Sequence, residues 1–190
     1  YDCGYAPTVV NHRGKYYLCG SLSDVYVSED PLGDFHSIGA FTLPDGEKLP
    51  RCYDPMLYTD DDGRLYLYYS TGAPVILAAE LDADDPTKLL EVPRLMIEFN
   101  PDNEWERNGE YNEDKRSCAL EGPWMLKKNG VYYLVYCAPG TEYSTYGLGA
   151  YKSSGPMGPW EYMKTNPFTI KTDGVVAGHT VFSLIGDTIE

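Results

Sequence analysis

Pro7-Thr-Val-Val-Asn-His-Arg-Gly14-Lys-Tyr-Tyr-Leu18 decides the fold, because the chain repeats it. It returns as Pro55-Met-Leu-Tyr-Thr-Asp-Asp-Asp-Gly63-Arg-Leu-Tyr-Leu67 and as Pro123-Trp-Met-Leu-Lys-Lys-Asn-Gly130-Val-Tyr-Tyr-Leu134. A fourth copy begins at His179-Thr-Val-Phe-Ser-Leu-Ile-Gly186. From Pro (or His179) to Gly the gap is 7, 8, 7 and 7 residues. Each copy is a short apolar run, a polar tip ending in Gly, and a second run rich in Tyr and Leu. That pattern predicts a β-hairpin whose tight turn needs a residue free to take positive φ. Hairpins recurring every 49 to 67 residues are too widely spaced for a solenoid and fit one β-propeller blade per repeat.

A second motif recurs in the same order. Ser28-Glu-Asp-Pro31-Leu-Gly33-Asp-Phe35 and Ser153-Ser-Gly-Pro156-Met-Gly158-Pro-Trp160 share Ser, Pro, Gly and an aromatic at one spacing. Pro and Gly mark loops, and the aromatic is expected to plug the gap between neighbouring blades. Gly14 to Gly186 spans three periods in 172 residues, enough for four strands in each blade. Propellers have four or more blades, and an open ring leaves sheet edges unpaired. The whole chain, residues 1–190, is therefore expected to be part of a single β-propeller domain in an all-β protein. Its first and last blades are expected to lie outside it.

Composition narrows the partners. Hydrophobic residues make up 43% and aromatics 14%, enough for a packed core. Tyr is prominent at 18 copies, a residue suited to half-buried strands and to sugar-binding clefts. The net charge of −14 argues against nucleic acid and against an anionic membrane, both of which call for Lys and Arg. A neutral carbohydrate carries no such penalty. The five Cys contain no C-x-x-C spacing, and Cys19 and Cys137, in equivalent strands, are expected to be buried thiols.

In a propeller, chemistry collects where the innermost strand of each blade begins. Those positions read Tyr5-Ala6-Pro7, Tyr53-Asp54-Pro55, Glu121-Gly122-Pro123 and Ala177-Gly178-His179. Carboxylates stand in two adjacent copies, flanked by apolar or small residues, where a charge is costly unless something uses it. Asp54 alone reads equally as a turn residue before proline, and Glu121 alone as a solvated rim residue. Glu121 precedes its Pro by one residue more than Asp54 does. In a regular strand that offset flips the side chain to the other face. Two carboxylates in a sugar-friendly cleft suggest glycosidic cleavage, with an Asp keeping a desolvated Glu protonated as a general acid.

Asp54-Pro55 followed by Tyr58-Thr-Asp-Asp-Asp-Gly63, then Glu121-Gly122-Pro123 followed by Asn129-Gly130-Val-Tyr132-Tyr133, resembles glycoside hydrolase family 43. Ala6-Pro7 before Gly14-Lys-Tyr-Tyr resembles that family's second-blade start, and the Ser-x-x-Pro-x-Gly-x-aromatic motif its blade linker. The resemblance implies a five-bladed propeller that cleaves by inversion, mostly on arabinose- or xylose-containing polysaccharides. It implies that Glu121 is the general acid and Asp54 the carboxylate that orients it and tunes its pKa. The family's general base is an Asp upstream of the Ala-Pro motif, and Asp2 is not placed in that role. No cofactor is required, and a structural calcium on the propeller axis of the parent enzyme is compatible with the resemblance. A polysaccharide substrate favours a secreted or periplasmic protein. The alternative is a non-catalytic carbohydrate-binding propeller that keeps the scaffold.

Further candidates surround the pair. Tyr53 adjoins Asp54. The resemblance places His179 near the sugar, although a histidine closing its blade by a backbone hydrogen bond fits equally. The polar stretch from Asn100 to Lys115 is either a cleft wall, with Trp105 or Tyr111 stacking on a sugar ring, or a disordered excursion. Tyr143, Tyr146 and Glu142 lie in a loop within reach of the cleft. His12, on a hairpin tip, and His36, in a loop, are expected to be solvated. Asp60-Asp61-Asp62-Gly63 lacks the alternating spacing of a calcium loop and reads as a hairpin turn.

Overall fold

The computed structural model describes residues 2–170, 184–185 and 188–189. It is all-β, with a single 3-10 turn, Glu104–Glu106, among the described residues. The first sheet is β1 (Tyr5–His12), β2 (Lys15–Ser21), β3 (Val25–Ser28) and β4 (His36–Gly39), hydrogen-bonded in that order. The second is β5 (Tyr53–Thr59), β6 (Leu65–Ser70), β7 (Val75–Leu81) and β8 (Arg94–Glu98). The third is β9 (Glu121–Lys128), β10 (Val131–Ala138), β11 (Gly147–Ser153) and β12 (Glu161–Tyr162), with β13 (Thr169–Ile170) also pairing to β11. A last hairpin joins β14 (Leu184–Ile185) to β15 (Thr188–Ile189). Each full sheet is an antiparallel propeller blade, and each begins at one copy of the repeat.

Period-2 alternation sorts side chains between two neighbours. Along β6, Leu65, Leu67 and Tyr69 pack with Tyr17, Cys19 and Val27 of the first blade. Tyr66 and Tyr68, on the other face, pack with Leu134 and Tyr136 of the third. All of β6 is consequently buried, as expected of a strand covered on both faces. The core is thus a set of interfaces between blades, and Tyr serves it by filling volume while most of these hydroxyls, though not that of Tyr66, find a partner. Tyr132 reaches Asp60 across such a boundary, Tyr136 reaches Glu106 in the segment between the second and third blades, and Tyr146 reaches Glu121 within the third. Cys19 and Cys137 are fully buried, and the described cysteines are all free.

The inner strands lie side by side. Thr8 Oγ1 donates to the Pro55 carbonyl at 2.8 Å, and the Gly122 N–H donates to Asp54 Oδ2 at 3.1 Å. The starts of three repeats therefore converge, while His179 lies outside the described residues. In the linker motif, Ser28 Oγ and Ser153 Oγ each accept the N–H two residues on, at 3.1 Å, which explains the shared Ser. Trp160 packs into the interface between the second and third blades, with its indole N–H 3.3 Å from Met96 Sδ.

Two expectations are corrected. His12 is buried, not solvated. Its Nε2 donates to the Ala83 carbonyl and its Nδ1 accepts from Thr59 Oγ1, both at 3.0 Å, because the hairpin tip is packed against the second blade. The stretch from Asn100 to Lys115 is a folded excursion built on Glu106. That carboxylate is fully buried and accepts from Tyr136 Oη at 2.6 Å, Asn103 Nδ2 at 2.7 Å and the Asn100 N–H at 3.3 Å. Burial raises its pKa, and the three hydrogen bonds only partly offset that.

Candidate active site

The three inner strands begin alike. Ala6, Asp54 and Gly122, each preceding proline, have φ of +48°, +49° and +58°. Each strand is bulged at that point: the ladder skips between Tyr5 and Thr8, between Tyr53 and Met56, and opposite Val135 and Cys137. A left-handed residue before proline departs from the usual extended preference, and for Ala6 and Asp54 it stores strain. Such strain, recurring where the blades meet, marks the segment as one held in place by its surroundings.

Register settles the offset between the two carboxylates. Tyr5 pairs with Ser21, Tyr53 with Ser70 and Glu121 with Cys137. Glu121 is thus the counterpart of Tyr53, and Gly122 the counterpart of Asp54. The carboxylates occupy adjacent positions of the repeat, not the same one. They still line one cleft, because the bulge re-aims the chain. That cleft, of about 220 Å³, is walled by Tyr53, Asp54, Ser70, Gly72, Ala73 and the segment Cys118-Ala119-Leu120-Glu121.

Asp54 is held from three blades. Its Oδ1 accepts from Ser21 Oγ at 3.1 Å, while its own N–H donates back to Ser21 Oγ at 2.8 Å. Its Oδ2 accepts from the Gly122 N–H at 3.1 Å and more loosely from Ser70 Oγ at 3.5 Å. Ser21 and Ser70 were not singled out in the sequence, although both stand seven residues beyond a turn glycine, as does Cys137. That shared offset was the available signal.

Glu121 is half-buried, and its Oε1 accepts from Tyr146 Oη at 3.0 Å. Burial and the neighbouring Cys137 and Glu121 push the Tyr146 hydroxyl far above the usual phenol range, so it remains a donor.

The other candidates separate. Tyr53 lines the cleft. Tyr143 is half-exposed in the turn that leads to Tyr146, and its carbonyl accepts the Tyr146 N–H at 3.3 Å. Trp105 does not stack in the cleft. It is buried between the second and third blades, 5.4 Å from the Tyr136 ring, with its indole N–H on Tyr162 Oη at 3.0 Å. A large aromatic inside a folded excursion between two blades is captured by their interface before it can serve the rim. Tyr111, by contrast, is 89% exposed. Asp2 is spent locally, its Oδ1 accepting the Gly4 N–H at 3.0 Å. Among the described residues no group of three or more His, Cys, Asp or Glu side chains is placed to hold a metal. Asp60 forms the expected turn, its carbonyl accepting the Gly63 N–H at 2.9 Å.

The comparisons agree with this fold. The family model described as Glycosyl hydrolases family 43 matches residues 1–182. The chain is 31% identical to Beta-D-galactofuranosidase xynD of Aspergillus niger over 150 residues, 76% of this chain and 38% of that protein. It is 26% identical to a xylosidase/arabinosidase of Bacteroides ovatus, over 85% of this chain and 54% of that one. A thermostable family-43 glycoside hydrolase of known crystal structure superposes with a TM-score of 0.73 at 25% identity, over 94% of this chain and 60% of that one. The chain thus spans roughly 38–54% of these two curated relatives. With the repeated hairpins, the bulged strand starts and the carboxylate cleft between them, the match over residues 1–182 means that the chain belongs to glycosyl hydrolase family 43.

Proposed function

We propose that this chain supplies the acid half of an inverting glycosidase site acting on arabinose- or xylose-containing plant polysaccharides or oligosaccharides. The observation that carries the reading is the shared cleft. Glu121 and Asp54 wall it together, and the N–H that follows Glu121 is bonded to Asp54. Glu121 protonates the leaving oxygen as the glycosidic bond breaks. Asp54, through Gly122, fixes the backbone that carries the acid and places a negative charge beside it. In an inverting enzyme a second carboxylate, roughly 6.5–9.5 Å from the acid, activates water on the opposite face of the sugar. By family resemblance that base is an aspartate upstream of Ala6-Pro7.

The xylosidase/arabinosidase names of several relatives favour pentose substrates. The name of the Aspergillus niger relative adds galactofuranosides as a second class to test. The experiment is hydrolysis by the full-length protein of arabinan, xylan and aryl arabinofuranosides, xylosides and galactofuranosides, with the anomer of the first product read by proton NMR. Release of an inverted pentose supports the proposal. Retention of configuration overturns inversion, and saccharide binding without hydrolysis points to a carbohydrate-binding propeller instead.

A further inference from the structure

We infer that Tyr146 is the positioning residue for Glu121, its buried hydroxyl fixing the rotamer from which the acid delivers its proton. The activity arm of this inference rests on the glycosidase reading; the geometric arm does not. Tyr146 is fully buried at the base of the site, and its hydroxyl lies 3.0 Å from Glu121 Oε1. A phenol in that setting must find an acceptor, and the one it finds is the acid.

Cys137, one of the groups that push the Tyr146 hydroxyl up, stands opposite Glu121 in the β9–β10 ladder. Tyr146 is thus tied directly to the acid and sits beside its cross-strand neighbour. Because burial keeps the phenol protonated, the mobile proton of the pair belongs to Glu121. A fixed donor on Oε1 makes the two carboxyl oxygens unequal, leaving Oε2 as the one that carries the acid proton. After delivery the same donor stabilises the carboxylate that forms.

The loop that carries Tyr146 is itself latched. The Ser144 N–H donates to Glu110 Oε2 at 2.9 Å, and Thr145 Oγ1 donates to the Gly109 carbonyl at 3.0 Å. Both partners belong to the excursion that leads into Cys118-Ala119-Leu120-Glu121. One folded segment therefore sets the acid's backbone and also holds the loop that aims its side chain.

The test is a 13C-carboxyl NMR titration of Glu121 in the full-length protein, with the signal assigned by Glu121→Gln. Tyr146→Phe removes a donor that favours the ionised form, so the midpoint should rise by about one pH unit. Placing 3,5-difluorotyrosine at position 146 puts a stronger donor in nearly the same volume, so the midpoint should fall. It also keeps the test available should the Phe variant not fold. An unmoved midpoint overturns the inference. In kinetics, Tyr146→Phe should lose roughly tenfold or more on unactivated pentosides and little on activated aryl pentosides, since only the former depend on proton delivery. Equal loss on both classes overturns the positioning role. A protein that shifts its midpoint yet cleaves no glycoside keeps the Tyr146–Glu121 assignment and overturns the glycosidase reading.

Discussion

Asp54 Oδ2 and the Gly122 N–H meet at 3.1 Å across two blades, and that N–H belongs to the peptide immediately after Glu121. The carboxylate beside the acid is therefore also a backbone anchor for it. Ser21 from the first blade and Ser70 from the second complete the anchor, so one side chain ties three blades at the cleft.

Asp54→Asn and Asp54→Ala should separate the two roles. Asn keeps one acceptor for the Gly122 N–H and tolerates the left-handed backbone at φ +49°. Its stability by denaturant unfolding should stay close to that of the native protein. Ala leaves the Gly122 N–H without its acceptor and should cost about 1–3 kcal/mol. Both should lose activity, because both remove the charge. In the Asn variant the alkaline limb of the pH–rate profile should also move to lower pH, since a neighbouring negative charge no longer favours the protonated acid. A lost rate with an unmoved limb would leave Asp54 as an anchor only.

Glu121→Gln keeps the size and one acceptor for Tyr146 but cannot donate a proton to a leaving oxygen. Activity on unactivated glycosides should fall by roughly 10²–10⁴. Aryl glycosides with good leaving groups should suffer far less. Parallel loss on both would make Glu121 a binding residue.

The sequence carried the blades because their determinants are local: a turn glycine, a polar tip and a Tyr-Leu strand, repeated. Asp54 and Glu121 stood out for the same reason, as carboxylates at the strand start, Asp54 where other copies have Ala6 and Gly122, and Glu121 where they have Tyr5 and Tyr53. What stayed hidden depends on contacts between blades. His12 looks solvated on a polar hairpin tip, and only the neighbouring Thr59 and Ala83 show that it is enclosed. Trp105 sits among charged residues in sequence, yet the excursion folds it into the core. Tyr146 lies outside the repeat altogether, so copy comparison has nothing to say about its partner.

Trp105 offers a packing test. A Cβ added at Gly149 would lie 2.5 Å from Trp105 Cζ2, so the strand β11 glycine is what admits the indole. Gly149→Ala should force the ring out of its site and cost about 1–3 kcal/mol. It should also weaken the Trp105–Tyr162 hydrogen bond, which indole fluorescence would report. Unchanged stability and emission would mean that the interface has slack to absorb the methyl.

The far end of the second and third blades carries a charged knot with its own pH dependence. Asp60, buried at its hairpin, takes Lys127 Nζ at 2.9 Å on Oδ1 and Tyr132 Oη at 2.6 Å on Oδ2. Lys127 also reaches Asp61 at 2.8 Å and lies 4.6 Å from the Tyr132 ring centroid. Burial alone would raise the Asp60 pKa, but hydrogen bonds from Tyr132, Lys127 and the Asp61 N–H outweigh it and hold the carboxyl below its ordinary value. A carboxyl depressed in the folded state adds stability above its unfolded pKa and loses it as pH falls through the folded one. Unfolding free energy measured against pH should therefore drop below the ordinary carboxylate range, as the third blade loses its hold on the second. Tyr132→Phe removes a hydrogen bond to a charged group and should cost about 2 kcal/mol at neutral pH. The same variant should flatten the acid-side slope, because the bond that depresses Asp60 is gone. A variant as stable as the native protein, with the same slope, would show that Lys127 alone sets the Asp60 carboxylate.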